Sequence, residues 1–337
     1  MFIRTLIFIS LMSVIAIGCK KDNNSSNNPT SLNPDVYVVG YENSGLNGFG
    51  VGKIWKNGFS TSLTNVYPAT VYSVYVSGSD VYVAGYENNG TKNVAKVWKN
   101  GIATSLTDGS ADAEASSVYV SGTDVYVAGS ENIGTNSVAT IWKNGVATSL
   151  TSSSNYSAAV SVYVSITADV YVLGYEDSGT IQIGKVWKNG IATSFATTYS
   201  FMVRSIYVSG TDVYVAGSQY SVSKMATLWK NGIATSLANS SYYSEANSVY
   251  VSGTDVYVAG TEDNYATIWK NGVATHLTNG DSHANSVYVS GTDVYVAGFV
   301  NSGVNGLNAI GTIWKNGVAT SLTDGSSNAY AMSVYVK

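Results

Sequence analysis

Short runs of valine and tyrosine alternate with serine, threonine and glycine along most of the chain, and the same runs recur. In one copy, Ser117–Val120 and Asp124–Ala128 are such runs, and Ser121-Gly122-Thr123 separates them. β-Branched and aromatic residues suit a pleated sheet, and a Ser-Gly-Thr segment is typical of a turn. The pattern therefore predicts two short antiparallel strands, here named a and b.

A second hairpin follows in the same copy. Residues Thr140–Lys143 and Val146–Ser149 flank Asn144-Gly145. Asn-Gly is the strongest short-range signal for a two-residue hairpin turn, because both of its central residues adopt a positive φ. Each copy of the repeat therefore carries four predicted strands, a to d in chain order.

The repeat occurs seven times, and each copy has an aspartate at the start of strand b and a tryptophan in strand c. The aspartates are Asp35, Asp80, Asp124, Asp169, Asp212, Asp255 and Asp293. The tryptophans are Trp55, Trp98, Trp142, Trp187, Trp229, Trp269 and Trp314, which we expect to act as structural wedges between repeats. Successive aspartates are 38 to 45 residues apart, which is the period of four-stranded propeller blades and not of a parallel β-helix.

The two ends of the repeat complement each other. The chain enters the repeat at strand b, from Asp35, and leaves it after strand a, at Ser333–Lys337. One blade then takes strands from both ends, which closes a ring and removes free sheet edges. We predict an all-β fold, a seven-bladed β-propeller of four-stranded antiparallel blades closed by the C-terminal strand. Strand a is expected to be innermost, because only the longer link from d to a can cross a whole blade.

A tryptophan at the end of strand c, a tight turn between c and d and a glycine-containing hairpin between a and b resemble the layout of WD-repeat propellers. The resemblance covers residues 35–337. Lysine follows the tryptophan where that family has aspartate, as in Trp142-Lys143, and no Gly-His pair precedes strand a. The resemblance therefore implies a shared architecture, without that family's hydrogen-bonded Asp-His network.

The N-terminus has a different composition from the repeat. Arg4 precedes an apolar run, Leu6–Ile17, which is too short to span a bilayer and is typical of an export signal. It ends in Ala16-Ile17-Gly18-Cys19, which resembles the lipobox of bacterial lipoproteins. The resemblance implies that Cys19 is the lipid attachment site and carries acyl chains such as palmitate. An ordinary cleavable signal peptide and a transmembrane anchor are the alternatives.

The segment after Cys19 indicates where the protein is located. Lys20-Lys21-Asp22 is similar to the charged export tags of surface lipoproteins in Bacteroidetes-like bacteria, and the Asn- and Ser-rich stretch that follows has nothing to bury. We predict a signal peptide at 1–18, a lipidated cysteine and flexible tether at 19–34, and the propeller at 35–337. The resemblance implies a lipid-anchored protein of the outer membrane or the cell surface of a bacterium.

Composition excludes some classes of function. Hydrophobic residues make up 45% of the chain and charged residues 11%, with a formal net charge of -4. These values are typical of a globular chain and give no basic field that could match nucleic acid. Cys19 is the single cysteine, so no internal disulfide can form. We expect a monomer that contacts the membrane through its lipid and binds a protein or glycan.

Acidic residues collect in the variable loops that follow strand b or link d to a. Those predicted to form a binding face are Glu42, Glu87, Asp108, Asp112, Glu114, Glu131, Glu176 and Glu262. Only Lys92, Arg204 and Lys224 clearly oppose the acids there, so we expect an acidic face that favours cations or a basic partner. The aspartate of strand b and the lysine after each tryptophan should pair at the other end of the blades.

The sequence contains few motifs that indicate a catalytic, cofactor-binding or metal-binding site. The chain has no Gly-x-Ser-x-Gly and no glycine-rich phosphate loop. We expect no cofactor, although the carboxylates of Asp108–Glu114 are an alternative calcium site. His276, Asp281 and His283 fall in one blade and are the nearest approach to a zinc site, which such exposed clusters seldom form.

We interpret the chain as a non-enzymatic cell-surface binding protein that recognises a protein or ligand through its acidic, variable loop face. A multivalent carbohydrate-binding lectin is the alternative, because near-identical blades would repeat one pocket. A propeller hydrolase or lyase is the third interpretation, because such enzymes assemble carboxylates from separate blades.

Overall fold

The computed structural model describes residues 34–43, 50–64, 67–179, 181–195, 201–220, 223–238, 243–302 and 308–337. These residues form seven four-stranded antiparallel sheets and contain no helix. The predicted all-β, seven-bladed propeller is therefore confirmed. The predicted signal peptide, Cys19 and all of the tether before Pro34 lie outside the described residues, so these assignments stay predictions.

The strands follow the repeat. Blade 1 consists of β1 (Val36–Asn43), β2 (Gly50–Lys56), β3 (Phe59–Ser62) and the last strand of the chain, β28 (Ala329–Val336). Blade 2 consists of β4 (Ala69–Ser77), β5 (Asp80–Asn88), β6 (Asn93–Lys99) and β7 (Ile102–Ser105). Blade 3 consists of β8 (Ala113–Ser121), β9 (Asp124–Ile133), β10 (Asn136–Lys143) and β11 (Val146–Ser149).

The other four blades repeat this order from the axis outwards. Blade 4 consists of β12 (Ser157–Val164), β13 (Val170–Asp177), β14 (Gln182–Lys188) and β15 (Ile191–Phe195). Blade 5 consists of β16 (Phe201–Ser209), β17 (Asp212–Tyr220), β18 (Lys224–Lys230) and β19 (Ile233–Ser236). Blade 6 consists of β20 (Ser244–Ser252), β21 (Asp255–Glu262), β22 (Tyr265–Lys270) and β23 (Val273–His276). Blade 7 consists of β24 (Ser282–Ser290), β25 (Asp293–Asn301), β26 (Ala309–Lys315) and β27 (Val318–Ser321).

Blade 1 closes the ring as the chain ends predicted. β28 pairs antiparallel with β1, with Val336 opposite Val36 and Val334 opposite Val38. Beyond this pairing, Asp35 and Lys337 exchange two backbone hydrogen bonds of 2.8 and 2.9 Å. The C-terminal strand therefore supplies the inner edge of the first blade.

A ring of tyrosines surrounds the axis. Each inner strand contributes one, and the centroids of neighbouring rings lie 4.6 to 5.1 Å apart all the way around. The seven are Tyr75, Tyr119, Tyr163, Tyr207, Tyr250, Tyr288 and Tyr335. Strand a is thus innermost, as predicted.

Hydrogen bonds between neighbouring inner strands form a second closed ring. In each, a backbone N–H donates to the serine hydroxyl of the adjacent blade at 3.2 to 3.3 Å. The pairs are Val74 with Ser333, Val118 with Ser73, Val162 with Ser117, Ile206 with Ser161, Val249 with Ser205, Val287 with Ser248, and Val334 with Ser286. This contact explains why serine precedes Val-Tyr-Val or Ile-Tyr-Val in every inner strand.

The tryptophans fill the space between blades. All seven are at most 1% exposed. Trp142 of blade 3, for example, lies in one cluster with Val118 of its own blade and with Tyr82 and Ala84 of blade 2. The aromatic side chain therefore buries apolar surface of two blades at once.

One end of the propeller carries the repeated ion pairs. In blade 3, Lys143 Nζ lies 2.7 Å from Asp124 Oδ2, and Asn144 Nδ2 donates to Asp124 Oδ1 at 2.8 Å. The Asn144 Oδ1 atom accepts from the backbone of Val125 at 2.8 Å. Equivalent Asp-Lys pairs occur in all seven blades, as predicted.

The inner strands are longer than the predicted Ser-Val-Tyr-Val. β8 begins at Ala113, so Glu114 lies in a strand and not in the predicted loop. The same correction applies to the predicted loop residues that lie near the end of strand b: Glu42, Glu87, Glu131, Glu176 and Glu262. Pairing between β8 and β9 shifts register between Ala115 and Ser117. Ser116 is therefore bulged. Opposite the bulge stands Gly129, where a Cβ would overlap the carbonyl oxygen of Glu114, so only glycine permits this close approach.

Candidate functional site

A polar funnel lies on the axis, at the end where the inner strands begin and opposite to the Asp-Lys pairs. Its volume is about 650 Å³. Glu114, Arg204, Glu245 and His283 are its ionisable residues from the inner strands, apart from tyrosine. The funnel is thus a single composite cavity to which different blades contribute different chemistry.

β-Bulges supply one complete layer of the funnel wall. All seven inner strands shift register at the equivalent point, and the residue at each shift lines the cavity. These residues are Tyr72, Ser116, Val160, Arg204, Asn247, Asn285 and Met332. A bulge leaves one residue unpaired and re-aims its side chain, and bulges are common beside active sites.

The predicted binding-face residues separate into two groups. Asp112 and Glu114 line the funnel. The other predicted face residues do not line it: Glu42, Glu87, Asp108, Glu131, Glu176 and Glu262. The inner strands, and not the glutamates near the end of strand b, therefore build the largest part of the cavity.

The expected acidic face is partly neutralised, because four of its eight predicted carboxylates pair with a lysine, which corrects the prediction from the loops. Lys53 lies 3.4 Å from Glu42, and Lys96 and Lys185 pair with Glu87 and Glu176. Each of these lysines stands in strand c opposite a glycine of strand b, two residues before the glutamate, and so reaches the glutamate diagonally. A further pair joins Asp112 to Lys92 at 2.9 Å, and the Glu262 carboxylate lies 3.3 Å from Nε2 of His276.

Glu114 is a carboxyl group that favours its protonated form. Burial raises its pKa, and the neighbouring charge of Asp112 raises it further. Within the described parts of the chain, no lysine, arginine or histidine lies within 4 Å of this carboxyl. Nothing in those residues offsets the cost of burying its charge, so this carboxyl keeps its proton to higher pH than an exposed glutamate and is suited to donate it.

Glu245 is a carboxyl group that stays ionised. Burial alone would raise its pKa, but hydrogen bonds from Lys224 and Tyr243 favour the charged form and leave the pKa below its usual value. Lys224 Nζ lies 2.5 Å from Glu245 Oε1, and the Tyr243 hydroxyl donates to the same oxygen. Oε2 has no partner among the described residues and remains available to a ligand or to water.

His283 is held as a neutral imidazole. Burial lowers its pKa, although the charge of Asp281 acts in the opposite direction. Its ring stacks on Phe299 with centroids 4.7 Å apart, and Nδ1 lies 3.0 Å from the Thr261 hydroxyl. The ring therefore has a fixed orientation in the funnel wall.

The described residues contain no group of three or more His, Cys, Asp or Glu side chains that could hold a metal ion. His276 contacts Glu262, whereas His283 lies 4.0 Å from Asp281, so the two histidines have different partners. In the predicted calcium stretch, Asp108 accepts two hydrogen bonds from Ser110. Calcium binding there stays a prediction.

In the part of the chain that the structure describes, no helix is long and apolar enough to cross a membrane.

Sequence reasoning missed Arg204, Glu245, Asn247 and His283 as members of one site, although a signal was present. Aligned on the serine of Ser-Val-Tyr-Val, the inner strands vary most at two positions, which lie one and three residues before that serine. The bulged position, immediately before the serine, carries seven side chains of six types. Variation within an otherwise repeated strand marks the funnel more sharply than variation in loops.

Comparison with known proteins identifies the fold. No known protein family matches the sequence, and no curated protein matches it. A puromycin-hydrolyzing peptidase of Mycobacterium tuberculosis is similar in structure, with a TM-score of 0.58 and 11% identity over 84% of this chain and 53% of the other. A puromycin hydrolase S511A mutant in complex with PGG has a TM-score of 0.61 and 9% identity over 87% and 52% of the two chains. TolB of Acinetobacter baumannii has a TM-score of 0.49 and 12% identity, over 70% and 60%.

The chain spans about half the length of the two puromycin-cleaving proteins. Both are described as hydrolases, and this finding corrects our interpretation of a non-enzymatic binding protein with an acidic loop face and a lectin as its alternative. At 11% and 9% identity, the likeness establishes the fold and transfers no activity. The chain thus has the propeller fold that also occurs in peptide hydrolases.

Proposed function

We propose that the chain is a hydrolase that cleaves an amide bond of a small, peptide-like substrate in the axial funnel. The observation that carries the proposal is the pair of carboxyl groups, Glu114 and Glu245, which line one cavity and have pKa values shifted in opposite directions. Such a pair separates the roles of acid and base. The puromycin-hydrolysing fold neighbours support the choice of reaction.

The proposed reaction is acid–base hydrolysis. Glu245 accepts a proton from water through Oε2 while the water oxygen attacks the amide carbon. The C–N bond then breaks, and Glu114 donates its proton to the departing nitrogen. The products are an acid and an amine, and proton exchange with solvent restores both carboxyl groups. Lys224 and Tyr243 act as positioning residues, because they hold Glu245 through its other oxygen.

The size of the funnel limits the substrate. A volume of about 650 Å³ falls within the range of small-molecule sites, which is roughly 300 to 1,000 Å³. The ring of seven tyrosines lies further along the axis than the bulged residues and narrows the central channel there. Short peptides and aminoacyl compounds fit this space better than a folded protein does.

The variants Glu114→Gln and Glu245→Gln are each expected to lower the rate of peptide hydrolysis. We expect a loss of roughly 10²- to 10⁴-fold in kcat, the usual contribution of a positioned acid or base. The assay is release of primary amine from a set of dipeptides and aminoacyl amides by the full-length protein. The rate should rise with pH as Glu245 ionises and fall as Glu114 loses its proton. Glu114→Gln should remove the alkaline limb.

Asp263→Asn is the matched control for these variants. Asp263 is an exposed acid in the loop after β21 with φ of 51°, a conformation that asparagine also adopts, and it does not line the funnel. Its rate should equal that of the unmodified protein. Absence of hydrolysis across the whole substrate set, or unchanged rates in both glutamine variants, would contradict the proposal.

We also propose that the protein is a monomeric lipoprotein, anchored through Cys19 in the outer membrane or at the cell surface of a bacterium. The support is the lipobox-like sequence Ala16–Cys19 and the tether after it. Cys19→Ala should abolish incorporation of an alkyne-labelled palmitate in cells and shift the protein from the membrane fraction to a soluble one. Equal labelling of this variant and the unmodified protein would contradict the assignment.

A further inference from the structure

Arg204 is a cation that forms no ion pair within 4 Å in the part of the chain that the structure describes, although its charge helps to lower the pKa of Glu245. Twelve of the thirteen lysines in the described residues lie within 4 Å of a carboxylate, and the exception is Lys337, which donates to the carbonyl oxygen of Gly78. Arg204 has no carboxylate within that distance in the same residues, yet it occupies the bulge of β16 and lines the funnel. A guanidinium group binds a carboxylate through two parallel hydrogen bonds, so this side chain is suited to an anionic ligand.

Asn247 and Asn285 place two acceptors in the same layer of bulges as Arg204. They occupy the bulges of the next two inner strands. Asn247 Nδ2 donates to the carbonyl of Ala284 at 3.0 Å, and Asn285 Nδ2 donates to the carbonyl of Ala331 at 3.0 Å. Only an NH₂ group can donate to a carbonyl, so these contacts fix both amides and leave each Oδ1 as an acceptor in the funnel wall.

A ligand that carries only one sign of charge would pair with only some of the polar groups in this layer. An anion that pairs with Arg204 would meet two carbonyl oxygens and the charge of Glu245 nearby. A cation bound by the carbonyl oxygens would leave the guanidinium group unneutralised. A ligand with a carboxylate at one end and an ammonium at the other satisfies both sets, because an ammonium group carries three donors and no acceptor.

We propose that the bulge layer formed by Arg204, Asn247 and Asn285 binds short peptides with both ends free, the carboxylate on Arg204 and the ammonium on the two asparagine oxygens. This inference rests on the proposed hydrolase function for the statement that the ligand is the substrate. The binding itself does not require turnover. Glu114 and Glu245 each lie two residues before the bulge of their own strand and remain available for the reaction in the same funnel.

The test is calorimetric binding of alanyl-alanine to full-length protein that carries Glu114→Gln, in which the proposed reaction is suppressed. N-acetyl-alanyl-alanine lacks the ammonium group and alanyl-alanine amide lacks the carboxylate. We expect each blocked peptide to bind about tenfold or more weakly, since a hydrogen bond to a charged group is lost in each case. Weak or equal binding of all three peptides would overturn the proposal.

Further substitutions in the Glu114→Gln protein identify which residues bind the carboxylate end of the peptide and which bind its ammonium end. Arg204→Gln should remove the preference for a free carboxylate and keep the preference for a free ammonium, whereas Asn247→Leu should do the opposite. Among the described residues, Lys337 is the other lysine or arginine without a carboxylate partner, and it lies at the far end of the propeller. Lys337→Gln should therefore change neither preference. A near-UV circular dichroism spectrum equal to that of the parent protein confirms folding of each variant.

The outcomes separate this inference from the proposed function. If the unmodified protein hydrolyses no peptide but the two preferences appear and respond to Arg204→Gln and Asn247→Leu, the binding site stands and the hydrolase proposal fails. If peptides are hydrolysed but blocked and free peptides bind alike, the hydrolase proposal stands and this inference fails. Loss of both preferences in Lys337→Gln would also overturn the inference.

Discussion

Truncation of the chain after Asn328, which removes β28, is expected to abolish cooperative folding of the whole propeller. β28 is the inner strand of blade 1 and touches both neighbouring blades. Its Ser333 accepts a hydrogen bond from Val74 of blade 2, and its Val334 donates one to Ser286 of blade 7. Tyr335 contacts a tyrosine on each side of the ring. Removal of the strand therefore opens the ring at two interfaces.

The expected loss is comparable with the whole stability of the fold. Val334 and Val336 are buried in a cluster with Trp55, and each buried valine contributes about 1.5 to 3 kcal/mol. Each lost backbone hydrogen bond removes about 1 kcal/mol. The sum is on the order of 10 kcal/mol, whereas an ordinary domain has only about 5 to 15 kcal/mol in total.

Thermal unfolding followed by circular dichroism, together with size-exclusion chromatography, measures this effect. The truncated protein should lack a cooperative transition and should elute as an expanded or aggregated species. A synthetic peptide of residues 329–337, added during refolding, is the control and should restore the transition. A truncated protein that melts at the same temperature as the full chain would show that the stability of the ring does not depend on β28.

Trp142→Ala is expected to lower the free energy of unfolding by about 3 to 5 kcal/mol, the usual cost of truncating a fully buried large aromatic residue. Trp142 is 0% exposed and lies between blades 2 and 3. The cavity cannot collapse easily, because the ring of blades fixes the distance between the two sheets.

Trp142→Phe should cost clearly less than the alanine variant. The indole Nε1 has no hydrogen-bond partner among the described residues, so phenylalanine loses packing but no polar contact. Urea unfolding of both variants at equilibrium measures the difference. Equal destabilisation by alanine and phenylalanine would show that Trp142 acts through something other than its volume.

Much of the fold could be predicted because the repeat presents the same local information seven times. Asn144-Gly145 and its counterparts fix the turn between strands c and d, and the observed φ of 51° at Asn144 is the conformation that the dipeptide predicts. The unmatched strands at Asp35 and Ser333–Lys337 predicted the closure. Each of these signals lies within a few residues of chain, or at its ends.

The site could be predicted only in part. Asp112 and Glu114 were recognised as acidic residues of one end of the propeller, and both line the funnel. Lys53, Lys96 and Lys185 were not recognised as partners of the glutamates, because the pairing is diagonal across two strands and depends on register. Arg204 was counted as a counter-charge of the loops, although it faces no carboxylate of the described residues within 4 Å.

The sequence by itself determined the number of blades, the order of strands within each and the pairing of the two chain ends, since turn chemistry and strand periodicity are local properties that repetition reinforces. Only the tertiary structure decided where the chemistry lies. The bulges of the inner strands bring Arg204, Asn247 and Asn285 onto the axis. Glu114 and Glu245 acquire opposite pKa shifts from their surroundings. Burial and partners from distant parts of the chain set these properties, and no single repeat encodes them.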